Sequence, residues 1–163
     1  MIKSILSFIL VFALVSFAVD WYRSAGMTDT IPENHTQLSS LDLEVFDLNT
    51  LSKETPVVVY FWATWCPVCR LVNPAVQAVS DTYPTIAVAL ASGDDNSLLH
   101  YAQQHDLTMP IVNDATQQIA REWGVSATPS IVIIANGQVV SVTTGVTSQP
   151  GLQARLLLAK RHL

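Results

Sequence analysis

The sequence predicts an α/β domain, a single sheet with helices on both faces, and three stretches carry that prediction. Val57 to Trp62 is a near-continuous run of β-branched and aromatic residues, the pattern of a central strand covered on both sides. From Val68 onward apolar residues recur at spacings of three and four, the period of an amphipathic helix. Ile131 to Ala135 is another strongly β run, and it meets Asn136-Gly137, a strong hairpin signal of type I′. Strand and helix patterns alternating between these landmarks fit one sheet flanked by helices.

The elements follow in chain order. Met1-Ile2-Lys3 is a weakly basic start, and Ile5 to Val19 is almost wholly apolar. A cleaved secretory signal is one reading, with Ser16 and Ala18 as the processing site. A retained signal anchor over residues 1–23 is the preferred one. Its apolar run is shorter than the roughly 20 residues of an ideal span. Trp21 and Tyr22 nevertheless stand where an interfacial aromatic belt would, and Arg23 can snorkel to headgroups. A buried core helix is the third and weakest reading. Residues 24–40 are polar, broken by Gly26 and Pro32, and read as a tether in which His35 is a solvated side chain.

The soluble domain is expected over residues 41–163. Leu41, Leu43, Val45, Phe46 and Leu48 suggest a short first strand, and Asn49 to Pro56 a turn-rich connector. After the strand Val57–Trp62, a helix begins at the cysteines. Val68, Leu71, Val72, Ala75, Val76 and Val79 form its buried stripe, Pro67 suits its first turn, and Pro74 predicts a kink. Ile86 to Leu90 is a second buried strand. A helix follows over Ser97 to His105 with Asn96 as a cap, then an extended piece, Leu107 to Val112. Asp114 caps a helix running through Trp123, which Gly124 ends. Past the hairpin, Gln138 to Thr144 is the partner strand, with Val140 and Val142 facing opposite to Val139 and Ser141. Pro150-Gly151 is a break before a last helix, Leu152 to Leu163, buried on Leu152, Leu156 and Ala159.

Composition excludes some functions. The net charge is -5 and only eight Lys and Arg are scattered through the chain, which leaves no basic face for nucleic acid. There is no Gly-rich phosphate loop. The two cysteines, Cys66 and Cys69, are the only ones in the chain and too few for a disulfide scaffold.

A C-x-x-C at the first turn of a helix brings two thiols within disulfide reach. Cys66 lies where unpaired N–H groups and the helix dipole favour a thiolate, and Cys69 sits a turn further in, more shielded. The expected cycle has Cys66 attack a substrate disulfide and Cys69 resolve the mixed disulfide. Other readings stand beside it: a structural disulfide, a zinc site, which needs two more ligands where the four His are scattered, or a two-thiolate copper(I) site.

The stretch Phe61 to Arg70, F-W-A-T-W-C-P-V-C-R, closely resembles the thioredoxin superfamily. Pro74, five residues past the second cysteine, matches that family's helix kink. Gly124 to Pro129 matches its loop with a cis proline, and the likeness runs from Leu41 to about Lys160. It implies a thioredoxin-like fold with a central mixed sheet, a cis Thr128–Pro129 bond beside the dithiol, and Thr128 helping to bind substrate backbone. Trp65, Pro67 and Val68 would complete the client-binding rim. No cofactor or metal is implied, and the soluble domain is expected to be monomeric.

Within the superfamily the chain is similar to the membrane-tethered periplasmic branch, which includes TlpA-like and cytochrome c maturation thioredoxins. Cys-Pro-Val-Cys resembles most the copper-sensitivity suppressor D-like proteins. The branch implies a bacterial inner-membrane protein with one span and a periplasmic catalytic domain, or a soluble periplasmic one if the leader is cleaved. It further implies electrons from a membrane thiol reductase of the DsbD type, passed to exported client proteins, with links to copper tolerance or cytochrome c maturation. A protein disulfide oxidase and a non-catalytic copper-binding or chaperone module are the alternatives.

Two departures stand out. Tyr60 occupies the strand position where cytoplasmic thioredoxin has a buried aspartate, and Ala89 matches its strand lysine. Asp94, Asp95 and Glu122 are acidic candidates near the site for which surface solvation is the expected role. Trp62 and Trp123 are expected in the core, Trp65 partly exposed beside Cys66, and Arg70 either adds positive charge at the site or is solvated.

Overall fold

The computed structural model describes residues 30–163; the leader and its anchor or signal lie outside the described residues. In chain order the elements are β1 (Gln37–Ser39), β2 (Val45–Asp47), α1 (Leu48–Glu54), β3 (Val57–Trp62), α2 (Pro67–Ser80) and β4 (Thr85–Leu90). There follow α3 (Asp95–Gln104), β5 (Ile111–Asp114), α4 (Gln118–Glu122), β6 (Ser130–Ala135), β7 (Gln138–Thr144) and α5 (Gln149–Ala159). Strands β5-β4-β3-β6-β7 form one sheet. β3 pairs in parallel with β4, and β4 with β5, while β6 and β7 run antiparallel. This is the central mixed sheet flanked by helices that the resemblance implies.

β3 is buried along all six residues because both its faces are covered. With a side-chain period of two, Val58, Tyr60 and Trp62 meet α2, α3 and α5, whereas Val57, Val59 and Phe61 meet α1, α4 and Trp123. Among the described residues no helix is long and apolar enough to cross a membrane.

Several local expectations change. Of the stretch expected as a tether, residues 30–40 lie against the domain: Ile31 and Leu38 are buried, and β1 pairs with β2 in a small separate sheet. His35, expected to be solvated, places its Nε2 2.9 Å from the Glu122 carboxylate. The first strand is therefore β1 and β2 around a turn at Leu43, which has φ +63° and is exposed.

The stretch expected as a connector, Asn49–Pro56, is helical as far as Glu54, within α1. Asp47 caps it by accepting from Thr50 N at 3.0 Å, and its buried face is only Leu48 and Ser52. Ser52 grips the hairpin: its carbonyl accepts from Asn136 N at 2.6 Å and its Oγ from Gly137 N at 3.0 Å. Asn136 and Gly137 both have positive φ, 51° and 74°, as a type I′ turn requires.

In α2 the buried stripe is Cys69, Val72, Asn73, Val76 and Val79, and Leu71 is 73% exposed. Positions 69, 72, 73 and 76 share a face at helical spacing, and 71 falls outside it. α3 is capped by Asp94, two residues before the expected Asn96, through Ser97 N at 2.8 Å. The Asp114 carboxylate accepts from Ile119 N at 3.2 Å and Ala120 N at 2.8 Å, so it does cap α4, across a wider loop than expected.

On β7 the expected alternation fails at a bulge. Ile134 pairs with Val139 but Ile133 with Ser141, leaving Val140 extra. Val139 and Val142 then pack on one side and Val140 on the other. Pro150-Gly151 does not break the last helix but lies in its first turn, where a missing N–H costs nothing. Ser148 Oγ caps that turn by accepting from Gly151 N at 3.3 Å, and a 3-10 turn, Lys160–His162, ends the helix.

Candidate functional site

The site forms where β3 gives way to α2. Cys66 is the residue that caps α2: its backbone is extended (φ -90°, ψ 108°), Pro67 takes the first helical position, and Cys66 Sγ accepts from Cys69 N at 3.1 Å. A helix start leaves its first N–H groups unpaired, so this sulfur receives a donor and the positive end of the helix dipole. Cys66 and Cys69 are joined as a disulfide with Cα atoms 5.3 Å apart. The two differ in access: Cys66 is 4% exposed and Cys69 is fully buried.

Neighbouring loops hold this turn in place. Cys66 N donates to Ala63 O at 3.2 Å. Thr64 N donates to Ser92 Oγ at 3.0 Å, and Ser92 Oγ in turn donates to Leu90 O at 2.9 Å. Ser92 thus ties the loop after β4 to the loop after β3, a role that no motif around it signals. Trp65 is 59% exposed, and its indole N–H donates to Ala91 O at 3.1 Å. Arg70 Nη2 reaches Thr64 O at 3.5 Å, so the guanidinium braces the same turn.

The facing wall is the loop before β6. Thr128–Pro129 is a cis peptide, and Thr128 O lies 3.7 Å from Cys66 Sγ. Gly145 N donates to Pro129 O at 2.8 Å and Ser130 Oγ to Ala127 O at 2.8 Å, which anchors the loop to the end of β7 and to itself. Cys66, Cys69, Thr128 and Pro129 are therefore brought together. Pro67 is exposed and Val68 half-buried on the first turn of α2.

Beneath Cys69 lies a polar pair that sequence reasoning found only in part. Tyr60 Oη donates to Asn73 Oδ1 at 2.8 Å and lies 3.4 Å from Cys69 O. Both side chains are buried. Burial, and after it the neighbouring Tyr101, pushes the Tyr60 phenol well above its ordinary range, so it stays a neutral donor. The signal for Asn73 was its place four residues after Cys69, on the same helical face.

The acidic candidates are elsewhere. Asp94 caps α3, and its hydrogen bonds to Ser97 hold its carboxyl below the usual range. Asp95 accepts from Asn113 Nδ2 at 2.7 Å. Glu122 sits below its usual range through Gln118 first and His35 after it. Among the described residues no carboxylate hydrogen-bonds to either cysteine.

Residues 28–143 match the AhpC/TSA family. A thioredoxin-like protein of Haemophilus influenzae is 34% identical over 161 residues, 98% of this chain and 95% of that protein. The fold is similar to that of a thiol:disulfide interchange protein of the thioredoxin family from Chlorobium tepidum, with a TM-score of 0.65 at 23% identity over 76% of this chain and 91% of that one. It is also similar to that of a secreted Mycobacterium tuberculosis disulfide oxidoreductase homologous to E. coli DsbE, with a TM-score of 0.62 at 22% identity over 75% of this chain and 94% of that one.

Proposed function

The chain belongs to the AhpC/TSA family of thioredoxin-fold proteins and is a thiol–disulfide oxidoreductase with a redox-active C-x-x-C pair, and from that footing we propose that it reduces disulfides of exported proteins while held at the outer face of a bacterial inner membrane. The observation that carries the reading is the asymmetry of the pair. Cys66 caps the helix beside the Thr128 carbonyl and keeps a small exposed edge, 4%, whereas Cys69 is fully buried behind it.

In the reduced state the Cys66 thiolate attacks one sulfur of a client disulfide. A new S–S bond forms to that sulfur, and the other client sulfur leaves as a thiolate that takes up a proton. Cys69 then gives up its proton and attacks Cys66 Sγ. The mixed disulfide breaks, the second client sulfur leaves and is protonated, and Cys66–Cys69 closes. Two electrons and two protons pass to the client. A membrane thiol reductase of the DsbD type returns the two electrons by the same exchange in reverse. Trp65, Pro67 and Val68 supply an apolar rim for the client, and Thr128-Pro129 its backbone contact.

Residues 1–23 serve as the anchor, residues 24–29 as the tether, and the remainder as the catalytic domain. The apolar run Ile5 to Val19, followed by Trp21, Tyr22 and Arg23, supports the anchor. The likeness to the tethered periplasmic branch supports reduction as the net direction.

Insulin reduction by the full chain tests the chemistry. Turnover is expected to survive a metal chelator and to fall to background in Cys66→Ala, while Cys69→Ala accumulates a mixed disulfide with insulin. Stoichiometric copper binding without turnover would contradict the reading, as would full turnover in Cys66→Ala.

A further inference from the structure

Two cations, Lys160 and Arg161, stand side by side just past the last helix. Arg155, Lys160 and Arg161 are three of the eight Lys and Arg of the chain, His162 follows them, and residues 145–163 hold no Asp or Glu at all. Lys160, Arg161 and His162 are exposed, and so are Leu157 (61%), Leu158 (54%) and Leu163 (47%). Leu157 lines a shallow cavity with Val79, Thr82 and Tyr83, and Lys160 Nζ stands 5.3 Å from the centre of the Tyr83 ring. Leucines and cations therefore share one surface, on a chain whose net charge is -5.

The place of this tip in the fold gives it meaning. Tyr83 and Pro84 close α2 at the end of the sheet where β3 begins, since Val58 N donates to Pro84 O at 2.8 Å. Val57 pairs with Ile134 there, beside the hairpin, and Thr30 bridges to Gln138. The chain thus enters the described domain at the same pole as the Leu157–Leu163 tip. The cysteines are at the opposite pole, at the other end of α2, whose 14 residues span about 21 Å. Arg23 to Thr30 can reach at most about 25 Å, so a retained leader keeps this pole next to the bilayer.

We propose that residues 157–163 form a membrane-contact patch: the leucines enter the headgroup boundary and Lys160 and Arg161 pair with anionic lipid headgroups, turning the Cys66–Cys69 pole away from the bilayer toward exported clients. The proposal deepens the membrane-tethered reading and rests on the retained leader for the short reach. Apolar side chains set among cations are what an interfacial contact with an anionic leaflet needs. Asp81 and Glu54 end α2 and α1 at this pole, so the attraction is carried by the C-terminal tip rather than the pole as a whole.

The test places the full chain in nanodiscs of phosphatidylcholine alone or with phosphatidylglycerol, and follows amide hydrogen exchange. Amides 157–163 are expected to exchange about 25-fold more slowly in the anionic discs, about five-fold for each of Lys160 and Arg161. Lys160→Glu/Arg161→Glu should erase that difference while residues 62–70 exchange as before. Equal exchange in the two lipids, or protection that persists in the double variant, overturns the patch. Flotation of the full chain with neutral vesicles reads the leader separately: a chain that does not float with them overturns the anchor, and the exchange difference between anionic and neutral vesicles in excess still decides the patch.

Discussion

The two sides of the central sheet draw on alternate residues of the same strands yet use their buried polar groups differently. On the side of α1 and α4, Ser52 holds the hairpin backbone and Asp114 caps a helix, beside a hydrophobic cluster that includes Phe61 and Trp123. On the side of α2 and α5, two buried polar side chains, Tyr60 and Asn73, bond to each other directly under Cys69. Polar groups on the first side close backbone ends. On the second they position the helix that carries the cysteines, with a neutral pair, Tyr60 standing where cytoplasmic thioredoxin has a buried aspartate. A neutral pair fixes geometry without adding a second charge beneath the thiols.

The largest effect is expected on the side of Trp123. Trp123→Ala is expected to cost about 3–5 kcal/mol by leaving a cavity, read as a lower denaturant midpoint, while the insulin-reduction rate per folded molecule is unchanged. A lower specific rate in folded protein would mean that the two sides are not separable.

Under the site, Tyr60→Phe leaves Asn73 Oδ1 buried without its donor and is expected to cost about 2 kcal/mol. It should also shift the Cys66–Cys69 redox potential measured against glutathione. Combined with Asn73→Leu, the two losses should be less than additive, since both remove one interaction. Strict additivity would sink the pair as a unit. Asp114→Ala is expected to cost about 1 kcal/mol through the lost cap, with turnover and potential unmoved, and a changed potential would contradict its purely structural role.

The smallest effect concerns pH. The folded Tyr60 phenol ionises well above its ordinary value because of burial and, secondarily, Tyr101. Above about pH 10 the unfolded chain gives up that proton and the folded chain keeps it, so stability is whole below about pH 10 and declines as pH rises beyond it. Urea melts across this window should fall less steeply for Tyr60→Phe than for the parent chain; identical slopes would contradict the assignment.

Much of this was legible in the residues. Val57–Trp62, the helix after it and the Asn136-Gly137 turn are strong because each local pattern agrees with its burial. The cysteines and Thr128-Pro129 were found for the same reason, two specific motifs set facing each other. α1 escaped because Asn, Thr and Ser are poor helix formers and its buried face is only two residues, although Asp47 is a cap signal. The Val140 bulge is invisible to alternation, since one extra residue inverts every later side chain. Asn73 was hidden by its polarity: a stripe read from apolar residues alone took Leu71 in its place.

Thiol trapping of the full chain in growing cells reads the direction of electron flow through Cys66–Cys69. Rapid acid quenching followed by an alkylating mass tag counts free thiols at Cys66 and Cys69. A mostly reduced pair is expected, becoming oxidised when the membrane thiol reductase is removed. A pair that is mostly oxidised in otherwise normal cells would contradict a reductase fed from the membrane.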